Sequence, residues 1–438
     1  MKLFGTTQEI AKKAVQNGDV TACVFGLGRM GLPLSLCLAE AGAHVIGVDV
    51  NLERVHAIQS GDNLFPEEPG LDALLEKHRQ SGRFSATTDA ALATRKADVH
   101  VILVPTTMGR EAHDDQSPLK AAAEHIARGL TRGDIVITEC TVPPGTTDAL
   151  LPILEKSGLR AGKDFGVAHC PERTMSGTAI RDIQHQYPKI VGANDAATRS
   201  AVAGFYSAVT SNRVVVLESA KEAECVKVFE GIYRFVNIGL ANELAIVSEA
   251  NGVNAWSVFA AANTQPFCHL HNPGPGVGGH CIPEYPKFVA SADTPVINAA
   301  QAANEKMAPH AVQLLERKIG NLRGKTIGVL GLTFRPYVKA FENTPAQSII
   351  RALKQKGASV KALDPLCGED EYRRFDVAKL NHLADADAVL VVNRDEKFSQ
   401  LPWPSIAGRV VVDACGLFQG NALQRHGIHQ VSLGIGKT

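Results

Sequence analysis

Short apolar runs alternate with stretches of helical periodicity through the first half of the chain. Residues 21–25, 44–48, 99–104, 135–138, 166–169, 189–192 and 213–217 are runs of strand length, and 30–40 is helical in pattern. Such alternation predicts a parallel sheet covered by helices. The character changes at 220–251, which holds no proline and is interrupted only by Gly231 and Gly239. This predicts one long helix, of a length suited to a spine between domains and to a contact between subunits. Residues 297–319 read as helical, with a kink or break at Pro309. A second alternating block follows, with strands at 326–330, 360–363, 388–392 and 410–412 and a helix at 344–356. The pattern predicts an α/β protein with two doubly wound parallel-sheet domains joined by a central helical region.

At 438 residues the chain is too long for one ordinary core. The apolar share of 45% and charged share of 21% are those of a globular protein. Lys plus Arg and Asp plus Glu are both 45, so the net charge is zero. This gives no electrostatic reason to expect nucleic acid or an anionic membrane, though a local basic pocket remains compatible. No apolar run is long enough to span a bilayer, and residues 1–20 lack a signal-type apolar core. A cytoplasmic protein is expected. Nine cysteines without paired spacing favour reduced thiols over a disulfide framework. The group Cys268, His269, His271, His280 and Cys281 lacks a metal-ligand spacing, and no metal is expected.

Gly26, Gly28 and Gly31 form G-x-G-x-x-G between a strand and a helix, with Asp49 ending the next strand. That context gives the motif its weight. Gly26 suits a tight turn, Gly28 leaves room for a pyrophosphate, and Gly31 allows close packing of helix on sheet. The helix N-terminus then faces the phosphates. Asp49 is placed for the ribose hydroxyls and would repel a 2′-phosphate, favouring NAD over NADP; Arg54 nearby argues the other way. The cofactor is expected to be NAD, held by these residues with Arg29, Met30, Pro105, Thr106 and Thr141.

Residues 273–283 read Pro-Gly-Pro-Gly-Val-Gly-Gly-His-Cys-Ile-Pro. Such density of Gly and Pro is a shaped loop. Its amides at Gly274, Gly276, Gly278 and Gly279 suit close approach to a phosphate or sugar. Cys281 on that loop is open to two readings: a thiolate stabilised by nearby positive charge, or a buried structural thiol. The loop alone does not separate them.

Five segments together resemble the nucleotide-sugar 6-dehydrogenase family, which includes UDP-glucose and UDP-N-acetylhexosamine dehydrogenases. They are the Gly26 loop running into Gly31-Leu32-Pro33-Leu34; residues 140–147, Cys-Thr-Val-Pro-Pro-Gly-Thr-Thr; Cys170-Pro171-Glu172-Arg173; Val226-Lys227 running on to Ala241-Asn242-Glu243; and residues 273–283. The resemblance spans nearly the whole chain. It implies a Rossmann-like NAD domain at 1–210, a helical domain carrying the cysteine loop at 211–318, and a Rossmann-like UDP-sugar domain at 319–438. It also implies a homodimer through the long helix.

The implied reaction is a two-stage oxidation of a sugar C6 alcohol. Cys281 would capture the intermediate aldehyde as a thiohemiacetal, and oxidation would leave a thioester that water hydrolyses. By resemblance Lys227 neutralises the oxyanion, Glu172 works with a water as acid/base, and Thr141 positions that water. Glu172, Arg173, Lys227, the four loop glycines, Phe334, Arg335 and Lys339 are the implied substrate contacts. His280-Cys281-Ile282-Pro283 is more similar to the N-acetylhexosamine branch.

Two family positions differ. Four residues after the lysine the family usually carries Asn, and this chain has Gly231; four after the cysteine it usually carries Asp, and this chain has Tyr285. Glu284 swinging in, Tyr285 supplying a hydroxyl, arrest at the aldehyde, and a homologue without turnover all stay open. The rival enzyme reading is a β-hydroxyacid dehydrogenase of the 6-phosphogluconate type, which shares the Gly26 motif and a long helix but lacks the cysteine loop and the second α/β block.

Overall fold

The computed structural model describes residues 1–108, 114–418, 420 and 422–436. The chain divides into two compact units, Met1–Phe229 and Glu230–Thr438. The division falls inside one continuous helix, Ala220–Ala250.

The first unit is built on β1 (Thr21–Phe25), β2 (His44–Val48), β3 (Phe84–Thr87), β4 (Val99–Ile102), β5 (Ile135–Thr138), β6 (Gly166–His169), β7 (Lys189–Ala193) and β8 (Val214–Leu217). Their spatial order is β8-β7-β6-β5-β4-β1-β2-β3. Every residue of β4, β5 and β6 is buried, as expected of strands covered on both faces. Alternate residues of β1 enter separate cores: Ala22 and Val24 one, Cys23 and Phe25 the other. The sheet departs from the expected wholly parallel form at one pair. β7 runs antiparallel to β6, and β8 returns parallel to β7.

The second unit carries β9 (Thr326–Leu330), β10 (Ser359–Leu363), β11 (Ala378–Lys379), β12 (Ala388–Val391), β13 (Val410–Asp413) and β14 (His429–Ser432). Their order is β11-β10-β9-β12-β13-β14, all parallel. Both units thus contain the 3-2-1-4-5-6 arrangement of a doubly wound nucleotide-binding sheet, with a crevice where the order reverses. Pro309 lies in the first turn of the Met307–Ile319 helix, and the break falls before it, after the Pro295–Glu305 helix. A proline is tolerated there because the first-turn amides have no partner within the helix.

The two crevices use the same device. In the second unit Gly331 has φ +99°, and a Cβ on it would lie 2.6 Å from Asn393 beyond β12. Asp364, at the end of β10, accepts from the amides of Leu332 (2.8 Å), Thr333 (3.0 Å) and Leu366 (2.9 Å) and from Thr333 Oγ1 (2.9 Å). Asp364→Ala strands those buried donors and is expected to cost roughly 2–4 kcal/mol. Urea unfolding checks this; an unchanged midpoint would remove Asp364 as the anchor of that turn.

Candidate active site

The crevice of the first unit explains its three glycines separately. Gly26 has φ +97°, and a Cβ there would lie 2.2 Å from the Leu103 carbonyl oxygen beyond β4, at the reversal of strand order. A Cβ on Gly28 would meet nothing within 4 Å, so that position faces open space. A Cβ on Gly31 would lie 1.8 Å from the Gly26 carbonyl oxygen. Gly31 is therefore demanded by the turn itself and not, as expected, mainly by packing on the sheet. The Gly31–Glu40 helix has no side-chain cap at its N-terminus; the Leu32 amide donates to the Gly28 carbonyl at 3.1 Å and Pro33 has no amide hydrogen, so what the helix start offers an anionic group is chiefly the positive end of its dipole. An open glycine beside the positive end of a helix without a side-chain cap fits a pyrophosphate.

Asp49 is buried, and its Oδ2 accepts from the Leu27 amide and from Arg54 Nη1, both at 2.9 Å. Arg54 thus pairs with the carboxylate. Arg29 pairs with Glu67 and lies over the Phe65 ring. Thr106 Oγ1 donates to the Thr141 carbonyl at 2.6 Å, joining the ends of β4 and β5, with exposed Pro105 beside it. Met30 Sδ accepts from Thr174 Oγ1 at 3.4 Å, joining the glycine turn to the Glu172 segment. Asp49→Ala is expected to weaken NAD binding about tenfold by freeing the Leu27 amide, and to narrow the preference over NADP. Paired KM values for the two cofactors check both parts.

Glu172 Oε1 accepts from the amide and hydroxyl of Thr174, and its own amide donates to the Glu139 carbonyl at 3.2 Å. Arg173 donates to the Pro188 carbonyl at 3.1 Å and lies over the Tyr187 ring. Beneath them is a cluster the sequence reading missed. Glu139 is fully buried, 2.8 Å from Lys189 Nζ, and accepts from the Tyr206 hydroxyl. Burial pushes the Glu139 carboxyl up, against the opposing pull of Lys189 and Tyr206. His169 beside it is held down to about 3 by burial and Lys189, hence neutral. A cavity is lined by Glu139, Glu172, Arg173, Tyr187, Lys189 and Tyr206. Glu224, also missed, accepts from the amides of Gly145 and Thr147 and so secures the turn that follows Thr141. Lys227 follows one turn further along the same helix, half-buried. These contacts join residues distant in sequence, and no local motif announces them.

In the second unit the glycine loop rests on a buried amide pair. Asn242 accepts from the Gly274 amide at 2.9 Å and donates to Asn304 at 2.9 Å. A Cβ on Gly274 would meet nothing within 4 Å, and Gly276 takes φ +140°. A Cβ on Gly278 would lie 2.5 Å from Phe334 Cβ, and one on Gly279 3.1 Å from the Phe334 ring. Gly278 and Gly279 are thus glycine because Phe334 packs on them. Phe334 carries Arg335 over its ring at 5.9 Å. Gly279 donates to the Glu342 carbonyl at 2.8 Å, and Asn343 donates to the Gly279 carbonyl at 3.1 Å and to Glu284 Oε1 at 2.9 Å. Lys287 Nζ holds both Glu284 oxygens at 2.9 Å. Lys339 pairs with Glu371 at 2.6 Å.

Cys281 is exposed, whereas Cys23, Cys37, Cys140, Cys170 and Cys415 are buried. The His280 imidazole is held above its ordinary value, first by its hydrogen bond to the Cys281 side chain, then by the charges of Cys281, Glu284 and Glu342, with burial opposing. A protonated imidazole beside a thiol favours the thiolate. His280→Gln is therefore expected to slow iodoacetamide alkylation of Cys281 several-fold near neutral pH, with the rate recovering at higher pH as the thiol ionises unaided. An unchanged pH profile would remove His280 from thiol activation.

Two 3-2-1-4-5-6 sheets, a glycine turn that fits a pyrophosphate, and an exposed thiol on a glycine loop define an NAD-binding oxidoreductase with a second nucleotide-binding unit. Models of the UDP-glucose/GDP-mannose dehydrogenase family match the chain in three parts: the NAD binding domain at 20–210, the central domain at 221–306 and the UDP binding domain at 328–420. The UDP-N-acetyl-D-mannosamine dehydrogenase of Methanocaldococcus jannaschii is 31% identical, over 95% of this chain and 97% of that protein. The NDP-N-acetyl-D-galactosaminuronic acid dehydrogenase of Ralstonia solanacearum is also 31% identical, over 94% and 99%. The solved UDP-D-ManNAc dehydrogenase of Pyrococcus horikoshii superposes with a TM-score of 0.87 at 29% identity, covering 95% of this chain and all of that one. The chain belongs to the UDP-glucose/GDP-mannose dehydrogenase family and is an NAD-dependent UDP-sugar dehydrogenase. The match at 328–420 displaces the β-hydroxyacid alternative, which accounts for no such domain. Among the described residues no helix is long and apolar enough to cross a membrane.

Proposed function

We propose that this enzyme oxidises the C6 alcohol of a UDP-N-acetylhexosamine to the uronate through a covalent adduct on Cys281. The observation that carries the reading is an exposed thiol on a glycine-rich loop, next in the chain to His280. The N-acetylhexosamine names of the relatives support the substrate class. NAD, when bound, accepts the hydride in each oxidation. The Cys281 thiolate adds to the carbonyl carbon at the aldehyde stage, and the resulting thiohemiacetal keeps the carbon bound until the second oxidation leaves a thioester. Lys227 offsets charge on the oxygen, Glu172 moves the proton of a water, and Thr141 orients that water. Gly274, Gly276, Gly278, Gly279, Arg173, Phe334, Arg335 and Lys339 hold the substrate. Lys339 must exchange its Glu371 partner to do so.

NADH formed per sugar consumed, with product mass, tests the reading across UDP-N-acetylmannosamine, -galactosamine, -glucosamine and UDP-glucose. Two NADH and a uronate from an acetamido sugar support it. One NADH and an aldehyde mean arrest, and turnover of UDP-glucose alone removes the N-acetylhexosamine assignment.

The working form is proposed to be a homodimer through the long helix. Phe229, Tyr233, Leu240 and Val247 are exposed apolar residues on that helix. At about 100° per residue they fall within about 40° of one another, forming one stripe. Leu240→Glu with Val247→Glu is expected to yield monomers by light scattering; an unchanged dimer would place the interface elsewhere.

A further inference from the structure

Gly231 and Tyr285 are far apart in sequence and meet in the structure. A Cβ on Gly231 would lie 2.0 Å from Tyr285 Cδ2, 2.9 Å from Cε2 and 3.0 Å from Cγ. No side chain fits there while the ring is in place, because these are ring atoms near its root and not the end of a flexible chain. The ring is 4% exposed and stacks on Phe288, centroids 6.1 Å apart with a 20° interplanar angle. The Tyr285 amide donates to the Cys281 carbonyl at 3.1 Å, and the Glu284 amide to the same oxygen at 3.2 Å. Tyr285 therefore sits one helical turn beyond the thiol residue, tied to it through the backbone. Its ring is seated in the notch that glycine leaves on the Ala220–Ala250 helix.

We propose that Tyr285 is a positioning residue for Cys281, and that Gly231 and Tyr285 form one mutually dependent unit: the ring locks the turn that carries the thiol against the long helix. The two departures from the family pattern then constitute a single event. Aspartate at 285 would leave the notch unfilled, and asparagine at 231 would occupy the ring's volume. The polar contacts that those two residues make elsewhere in the family are replaced here by packing. The carboxylate next to the thiol turn is instead that of Glu284, fixed by Lys287 and Asn343. The ring of residue 285 does the positioning.

The inference rests on Cys281 being the reacting thiol, so the test reads the thiol both with and without substrate. The variants are Tyr285→Phe, Tyr285→Ala, Gly231→Ala and the double Gly231→Ala with Tyr285→Ala, in the full chain. Alkylation of Cys281 by iodoacetamide is followed across pH by peptide mass spectrometry. Cys225, Cys268 and Cys367, of intermediate exposure, report any general loosening in the same digests. Turnover is read as NADH from UDP-N-acetylmannosamine. Tyr285→Ala and Gly231→Ala are each expected to move the pH midpoint of Cys281 alkylation and to lower kcat at least about tenfold with KM little changed, since a displaced nucleophile costs rate rather than binding. Tyr285→Phe keeps the ring and stays closer to the starting protein than Tyr285→Ala does. The double variant is no worse than the poorer single one, because the two residues act as one unit. Additive losses, a Tyr285→Phe variant as poor as Tyr285→Ala, or an unmoved Cys281 profile in both alanine variants overturns the proposal. So does a profile that changes only in step with the three reporter thiols, which means unfolding. If no UDP-sugar is turned over by the unaltered protein while the alkylation pattern follows expectation, the substrate reading fails and the lock stands.

Discussion

Cys281→Ala is expected to end uronate formation, with a loss of about 10³-fold or more, the scale seen when a covalent nucleophile is removed. The side chain is exposed, so its removal opens no core cavity and the melting temperature should hardly move. NAD binding, which belongs to the domain at 20–210, should also persist. On the proposed mechanism, what disappears is the bond that retains the aldehyde. A free aldehyde hydrates and departs, so the residual activity should produce at most one NADH per sugar. Product mass and NADH stoichiometry, measured on a variant with an unchanged melting curve, decide it. Uronate at more than a few per cent of the starting rate would show that a group other than Cys281 carries the carbon through the second oxidation.

Gly31→Ala should show the second large effect, and Gly28→Ala is its control. At Gly31 the added carbon would sit 1.8 Å from one backbone atom, the Gly26 oxygen, and 2.9 Å from another, the Gly26 carbon. Neither can rotate away. The turn or the helix start must shift, at an expected cost of roughly 1–3 kcal/mol of stability. A misplaced turn is also expected to weaken NAD binding about 10²-fold. At Gly28 the added methyl meets open space, so the protein should melt as before while NAD affinity falls. Thermal melts beside NADH fluorescence titrations separate the two. Equal melting of both variants would contradict the assignment of Gly31 to the turn and Gly28 to the cofactor.

Much of the fold is legible in the pattern of apolar runs because central strands of a parallel sheet are buried on both faces, leaving unbroken stretches such as 99–102 and 135–138. The long helix is equally legible, since nothing in 220–250 breaks it. The antiparallel β7 was not, because strand direction is set by where the chain re-enters the sheet and leaves no mark on the strand's own residues. Candidate chemistry follows the same division. The glycine turn, Asp49 and the Cys281 loop are local and visible. The Glu139, Lys189 and Tyr206 cluster beneath Glu172 is assembled from separate strands and a helix.

The amino-acid sequence by itself determined the two α/β blocks, the long helix at 220–250, the glycine turn at 26–31 and the thiol loop, because each is encoded by spacing within a short stretch. Only the tertiary structure decided what the unusual residues are for. Gly31 answers to Gly26, Gly278 to Phe334 and Gly231 to Tyr285, each through a close approach between atoms. A glycine in a sequence states that a side chain is absent; which neighbour fills the space is fixed only when the chain folds back on itself.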